Sequence, residues 1–469
     1  MSTPGSHAAA MPFRPARPPA RGADPARVLD AGGWDVYLLV VTALLPFVSG
    51  VGGTPVAAAD LANLIALLVF GGAVLARRFP VETPFLLPAV VAAAGSVLAV
   101  ANAVSVPASA LSLAQDAYLY VWTVVLVALF RRRGELLAVR RATVAVAVCV
   151  ALGALVEAWT HGAHGLERLL AARGHRSYGT FGNANMLAEF QMLGVFTVLG
   201  LEGRLPRWLA GVGIALLGAG MITAKSNGSL IALATGLVVW ALCRAHARGM
   251  RARQLAGAGA FVAVAILGAT WLVSETGFGS GWFESIREKS VIARMAHSSE
   301  VRGRIWERLG HRVARNPLGI GPGNSSTGFV EIGERERKGA MDAKEAHNDY
   351  VGYAVERGPL GVIGLFAALG VLGARLLRGR GALVARMGDL RRGVAVHAAG
   401  VGALAGLLVQ STVIEQLHFR HLWWFVAWMW AATAPEAVAS GAREPATPGT
   451  RFPGRPASRT AAAPDGVPA

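Results

Sequence analysis

Apolar runs of about 17 to 22 residues recur along this chain, and few sequence features constrain a fold more tightly. A helix of that length crosses the hydrocarbon core of a bilayer. In lipid, each backbone N–H and C=O must find its partner inside the protein, which a helix achieves within one segment. Composition agrees: 54% of the 469 residues are hydrophobic and only 16% are charged, against the roughly 25% usual in a soluble domain. The expected fold class is an all-α polytopic membrane protein.

The runs number about twelve transmembrane helices, at about 34–50, 55–76, 84–104, 110–130, 142–159, 186–203, 208–224, 229–243, 255–273, 359–377, 393–413 and 422–434. Arginine clusters follow the second, fourth, sixth, eighth and tenth runs, for example Arg131 to Arg133 and Arg378, Arg380 and Arg386. With twelve spans these clusters and the basic N-terminal stretch all share one side, which the positive-inside bias makes the cytoplasm. The loops at 160–185, 225–228, 274–348 and 414–421 then face outside, in a bacterial inner membrane the periplasm. Residues 1–33 and 436–469, rich in Pro and Ala, read as disordered cytoplasmic tails around a transmembrane domain at 34–435. A formal charge of +17 does not imply nucleic acid, because the basic residues are spread over short loops. Cys149 and Cys243 lie in or at the end of apolar runs, so no disulfide framework is implied.

The outward loops differ in kind from the arginine clusters, mixing His, Arg, Glu and Asn. The large loop before the tenth span carries a helix expected to be capped at Ser298 or Ser299, with Val301, Ile305, Leu309 and Val313 as an apolar stripe. Arg302 and Trp306 lie one turn apart on it, and Arg304 is close by. Two readings stand: an amphipathic helix on lipid headgroups, or a guanidinium site for a diphosphate. Gly319-Ile-Gly321-Pro-Gly323 is either a tight turn ending the helix or a backbone nest for phosphate. His347 precedes the tenth span beside Asn348; a neutral imidazole held by a neighbour accepts a proton near neutral pH. No second His or Cys stands at metal-ligand spacing from it, so a metal site is not expected. In the earlier loop, Arg176 is a second outward guanidinium, and Asn183 and Asn185 suit a bent start to the sixth span. Ionisable residues are sparse inside the spans, Asp60, Asp116, Glu157 and Glu189 being the main exceptions, which argues against a transporter or flippase.

Together, Arg176 to Ala188 (Arg-x-x-Gly-Thr-Phe-x-Asn-x-Asn-x-Leu-Ala), Arg302 with Trp306, Pro317 to Gly321, and His347-Asn348 with Gly358 and Gly361 resemble the bacterial O-antigen ligase and O-antigen polymerase superfamily. The resemblance covers roughly residues 170 to 375 and is closest to the ligases. It implies a GT-C-like, inverting glycosyltransferase of the inner membrane, needing no cofactor. The implied donor is a glycan on undecaprenyl diphosphate, and the acceptor the outer-core sugar of lipid A–core. The implied roles are deprotonation of the acceptor hydroxyl at His347 and diphosphate binding at Arg302, or Arg304 in the alternative register. Arg176 and Lys225 join that donor site; Asn348, Asn183, Asn185 and Gly321 support it. Many members carry Ser-Arg-Gly where this chain has Ser226-Asn227-Gly228, and Lys225 is the neighbouring positive charge. A polymerase of the same superfamily is the second reading.

Overall fold

Helices pack on helices throughout the computed structural model, which describes residues 33–48, 57–75, 81–133, 137–164, 175–251, 253–254, 257, 305–307, 309–325 and 346–434. The helices are α1 (Gly33–Leu44), α2 (Ala58–Leu75), α3 (Leu86–Ala99), α4 (Val106–Arg133), α5 (Leu137–Thr160), α6 (Ala184–Gly200), α7 (Arg207–Ala224) and α8 (Asn227–Ala247). They continue as α9 (Asp349–Arg378), the short α10 (Arg380–Met387), α11 (Leu390–Gln410) and α12 (Arg420–Ala432). Among the described residues there is no strand beyond one isolated bridge between Glu202 and Leu205. Seven helices, α2, α4, α5, α7, α8, α9 and α11, are long and apolar enough to cross a membrane, and α1, residues 86–102 and α6 are shorter apolar helices. The chain is a multi-pass helical membrane protein. The expected ninth span, about 255–273, falls outside the described residues except for residue 257.

Small residues set the closest helix crossings, as they do in bilayers, where van der Waals fit replaces the hydrophobic effect. A Cβ placed on Gly95 of α3 would stand 2.5 Å from the Gly361 nitrogen of α9, and one on Gly364 would meet the Ala92 backbone. Gly236 of α8 and Gly402 of α11 face each other in the same way. Apolar side chains turned outward, such as Leu68, Val156 and Trp208, are what a lipid-facing surface requires.

One helix departs from the sequence expectation. The tenth run was expected to begin near residue 359, yet α9 starts ten residues earlier, at Asp349. Asn348 caps it, its side-chain oxygen accepting from the Tyr350 and Val351 amides at 2.9 and 3.1 Å. The polar residues of this first part are accommodated because it packs against protein. At Gly358 the helix breaks, with φ 63° and ψ −164°. Pro359 has no N–H, so the Val355 carbonyl, four residues earlier, loses its helical donor.

The glycine turn fills that break. Ile320 N–H donates to Val355 O at 2.9 Å and Gly321 N–H to Glu356 O at 3.0 Å. Gly319, Gly321 and Gly323 all have φ between 73° and 94°, which favours glycine. Asn324 ties the turn to the start of α4, accepting from Ser105 N–H at 2.8 Å and donating to Ser109 Oγ at 2.8 Å. Of the two readings of this segment, the amides of Ile320 and Gly321 therefore serve a structural turn. Gly321 supports the site as a brace for α9.

Candidate functional site

The expected site residues that are described, Arg176, Asn183, Asn185, Lys225, Gly321, His347 and Asn348, lie at the end of the helix bundle where α6, α8, α9 and α12 begin and α5, α7 and α11 finish. Arg176 spans two elements: its Nε donates to Ala224 O at 3.1 Å, and its Nη2 to Asn185 Oδ1 at 3.2 Å. Asn183 caps α6 by accepting from the Asn185 and Met186 amides. These two asparagines therefore share a task, one starting the helix and the other holding the guanidinium. Burial pulls the Arg176 guanidinium below its ordinary pKa.

Lys225 follows Ala224 directly and ends α7 in the left-handed region, with φ 49° and ψ 38°. Its residue is 8% exposed. Beyond it, Ser226 and Ser229 hydrogen-bond to each other, and Gln410 of α11 donates to Ser229 Oγ at 2.9 Å. Ser411 then accepts from the Asp349 amide at 2.9 Å. A continuous set of contacts thus leads from Arg176 through Lys225 and Gln410 to the start of α9, where His347 stands.

His347 also has a left-handed backbone, φ 49°. Such a conformation costs a non-glycine residue roughly 1–2 kcal/mol and persists only where its surroundings enforce it. The enforcement is visible on both sides. The Trp306 indole N–H donates to Ala346 O at 3.1 Å. On the other side Asn348 caps α9, and the Asp349 carboxylate accepts from the Gln416 and Leu417 amides at 3.1 to 3.3 Å. The stripe of the loop helix packs here as well: Ile305 and Leu309 are buried with Ile320, Ala346 and Val355, and Trp306 and Val313 lie against them. Its apolar face is thus spent on protein, which differs from a helix resting on headgroups. Arg302, Arg304, Ser298 and Ser299 lie outside the described residues.

Glu157 was noted in the sequence only as an ionisable residue near a span. It proves to anchor the whole 175–181 loop. Its carboxylate accepts from Tyr178 N–H, from Gly179 N–H at 2.8 Å, and pairs with His175 Nε2 at 2.7 Å. The other three noted carboxylates are also paired: Asp60 with Arg420, Asp116 with Arg357 and Glu189 with His421. Pairing is what makes such groups tolerable within a bilayer.

A cavity of about 320 Å³ opens between α4, the first part of α9, the 323–325 turn and the 415–418 loop. Asp116, Asp349, Glu356, Arg357, Glu415 and His418 line it. Burial and the nearby Arg420 and His421 push the His418 imidazole down to about 4, so it is neutral at pH 7. Among the described residues no three His, Cys, Asp or Glu side chains come together as metal ligands.

Apolar helices long enough to cross a bilayer, with polar loops gathered at one end, define a multi-pass helical membrane protein. Residues 212–366 match the family profile described as O-antigen ligase. The match spans about a third of the chain, and over that segment the chain is similar to the O-antigen ligase family. The matched segment contains Lys225, Arg302, Arg304, Gly321, His347 and Asn348, while Arg176, Asn183 and Asn185 precede it. No curated protein matches the chain.

Proposed function

We propose that this protein is an inverting, membrane-embedded glycosyltransferase with a GT-C-like architecture of twelve spans. In this reading it moves a polysaccharide from undecaprenyl diphosphate to the outer-core sugar of lipid A–core, at the periplasmic face of a bacterial inner membrane. One observation supports it most: the segments that carry Arg176, Lys225 and His347, far apart in sequence, are tied at one end of the bundle by hydrogen bonds between neighbouring segments.

The division of labour follows from chemistry. The donor's lipid tail stays in the bilayer, so its diphosphate lies at the surface, where guanidinium and ammonium groups bind phosphate oxygens. Arg176 and Lys225 supply that charge, with Arg302 or Arg304 from the large loop. His347 removes the acceptor's hydroxyl proton as the oxygen attacks the anomeric carbon. Departure of undecaprenyl diphosphate, stabilised by those cations, leaves the configuration inverted.

Purified protein in lipid nanodiscs, supplied with lipid-linked glycan and core acceptor, should transfer glycan without added nucleotide. A reporter active only in the periplasm should be on when fused near Gly339 and off after Arg253 or Arg380. A cytoplasmic location for the 274–348 loop would end this reading. The second reading, a polymerase, is favoured by Asn227, which stands where many ligases have arginine. A deletion strain separates the two: bare core identifies a ligase, core bearing one repeat unit a polymerase. A transport role has less support, since the carboxylates noted in the spans are each held by a basic partner.

A further inference from the structure

The cavity at the first part of α9, lined by Asp349 two residues after His347, is not accounted for by diphosphate binding, because its charged groups are mostly acidic. Asp116, Asp349, Glu356 and Glu415 face it together with Arg357, and carboxylates repel a diphosphate. Of the cations assigned to the donor, Arg176 and Lys225 lie at the end of α7, and neither lines this cavity.

Two features mark the cavity as more than a collection of acids. First, it extends into the depth of the bundle: Asp116 is ten residues into α4 and Arg357 eight residues into α9, about 12–15 Å along each helix. Ionisable groups at that depth face a water-filled cavity and mark substrate routes. Second, Arg357 is only 7% exposed, and among the described residues its Nε has no hydrogen-bond partner. Its Nη1 holds Ser96 Oγ at 2.8 Å and the Asp116 carboxylate, and its guanidinium lies 4.5 Å over the Tyr353 ring. Tyr353 and Asp116 therefore fix the guanidinium at the cavity wall. A guanidinium held in this way keeps a fixed positive charge among the cavity's carboxylates.

We propose that this cavity is a sugar-binding subsite, which takes the hydroxyl groups of an uncharged saccharide ring and holds it beside His347. Carboxylates accept two hydrogen bonds at once from neighbouring hydroxyls, while Arg357, Ser112 and Gln115 supply donors for ring and hydroxyl oxygens. At about 320 Å³ the space is at the lower end of the roughly 300–1,000 Å³ of small-ligand sites. Glu356, in the lining, has one oxygen tied to Ser325 N–H at 3.1 Å. The subsite rests on the glycosyl-transfer reading for its role, and the sugar comes from either the acceptor or the donor glycan.

The test uses the full chain in nanodiscs and reads backbone hydrogen exchange over 106–116 and 349–357. The probes are lipid-free core oligosaccharide, the released repeat-unit glycan, and inorganic pyrophosphate. One of the two saccharides should protect both segments and pyrophosphate should not. Ser112→Phe, which fills the cavity from α4, should abolish that protection. Glu356→Gln, which keeps the Ser325 contact, should weaken it and raise KM for that same saccharide substrate roughly ten- to hundredfold with kcat largely kept. A rise for acceptor alone assigns the sugar to the acceptor, and for donor alone to the donor glycan. Exchange unaffected by either saccharide, or the same protection from pyrophosphate, would overturn the proposal. Protection by saccharide in a protein that transfers nothing would keep the subsite and remove the transfer reading.

Discussion

The two ends of the helix bundle use the same residue types for different ends. At the arginine-rich end, charges close on one another. Glu82 receives Arg131, Arg375 and the Trp430 indole, and Glu202 receives Arg244 and Arg391. Other arginines cap helix carbonyls, as Arg140 does at Gly200 and Arg386 at Ala431. At the opposite end ion pairs occur as well, Asp60 with Arg420 and Asp116 with Arg357, but Asp116 and Arg357 also line a cavity, and Lys225 and His347 are held in left-handed backbone. Charge matched within the protein staples helices together, whereas charge presented to open space is available to a ligand. The position of the arginine clusters thus bears on topology, and the geometry around each guanidinium on function.

Substitutions should separate the two ends, and the largest effect belongs to His347. His347→Ala should reduce glycan transfer by roughly 10²–10⁴ while the protein stays inserted and folded. His347→Gln keeps a hydrogen bond but accepts no proton at neutral pH, so it should fail too. Wild-type transfer by the Gln variant would make His347 a positioning residue.

Arg176→Ala should lower transfer roughly ten- to hundredfold through donor KM. Arg176→Lys should recover little, because one ammonium cannot reach Ala224 O and Asn185 together in the guanidinium's geometry. Full activity in the lysine variant would reduce the comparison to simple charge.

Glu202→Gln, at the other end, should leave transfer unchanged and cost about 1 kcal/mol of stability. Hydrogen bonding from Arg244, with Arg391, holds the Glu202 carboxyl below its usual pKa. A depressed carboxylate stabilises the fold above its unfolded value of about 4.3 and loses that contribution as pH falls through the lower folded value. Thermal melts of wild type and variant should therefore differ at pH 7 and converge in acid. A loss of transfer at pH 7 would contradict the assignment of this end to structure.

The smallest effect is expected at Lys225→Gly. Glycine adopts φ 49° without strain, so the variant should gain up to about 1 kcal/mol in stability while binding donor more weakly. Improved stability with unchanged donor KM would remove Lys225 from the site.

Much of this protein is determined by local pattern. The apolar runs specify helices because lipid leaves the backbone no other partner, and Asn183 and Asn348 start helices through bonds spanning two or three residues. His347 and Arg176 stand out in the sequence because they are polar, lie between apolar runs and fall in motifs, and Lys225 because it is the charge beside a motif position that lacks its arginine. Tertiary structure decided the rest. That Gly321 braces a helix break, that Glu157 anchors the Arg176 loop, and that Asp116 meets Arg357 across 241 positions depends on pairings between distant segments. Hydropathy records how much apolar surface a segment carries; it does not record which neighbour satisfies a buried charge. The cavity between α4 and the first part of α9 belongs to that second kind of information, since no single helix contains it.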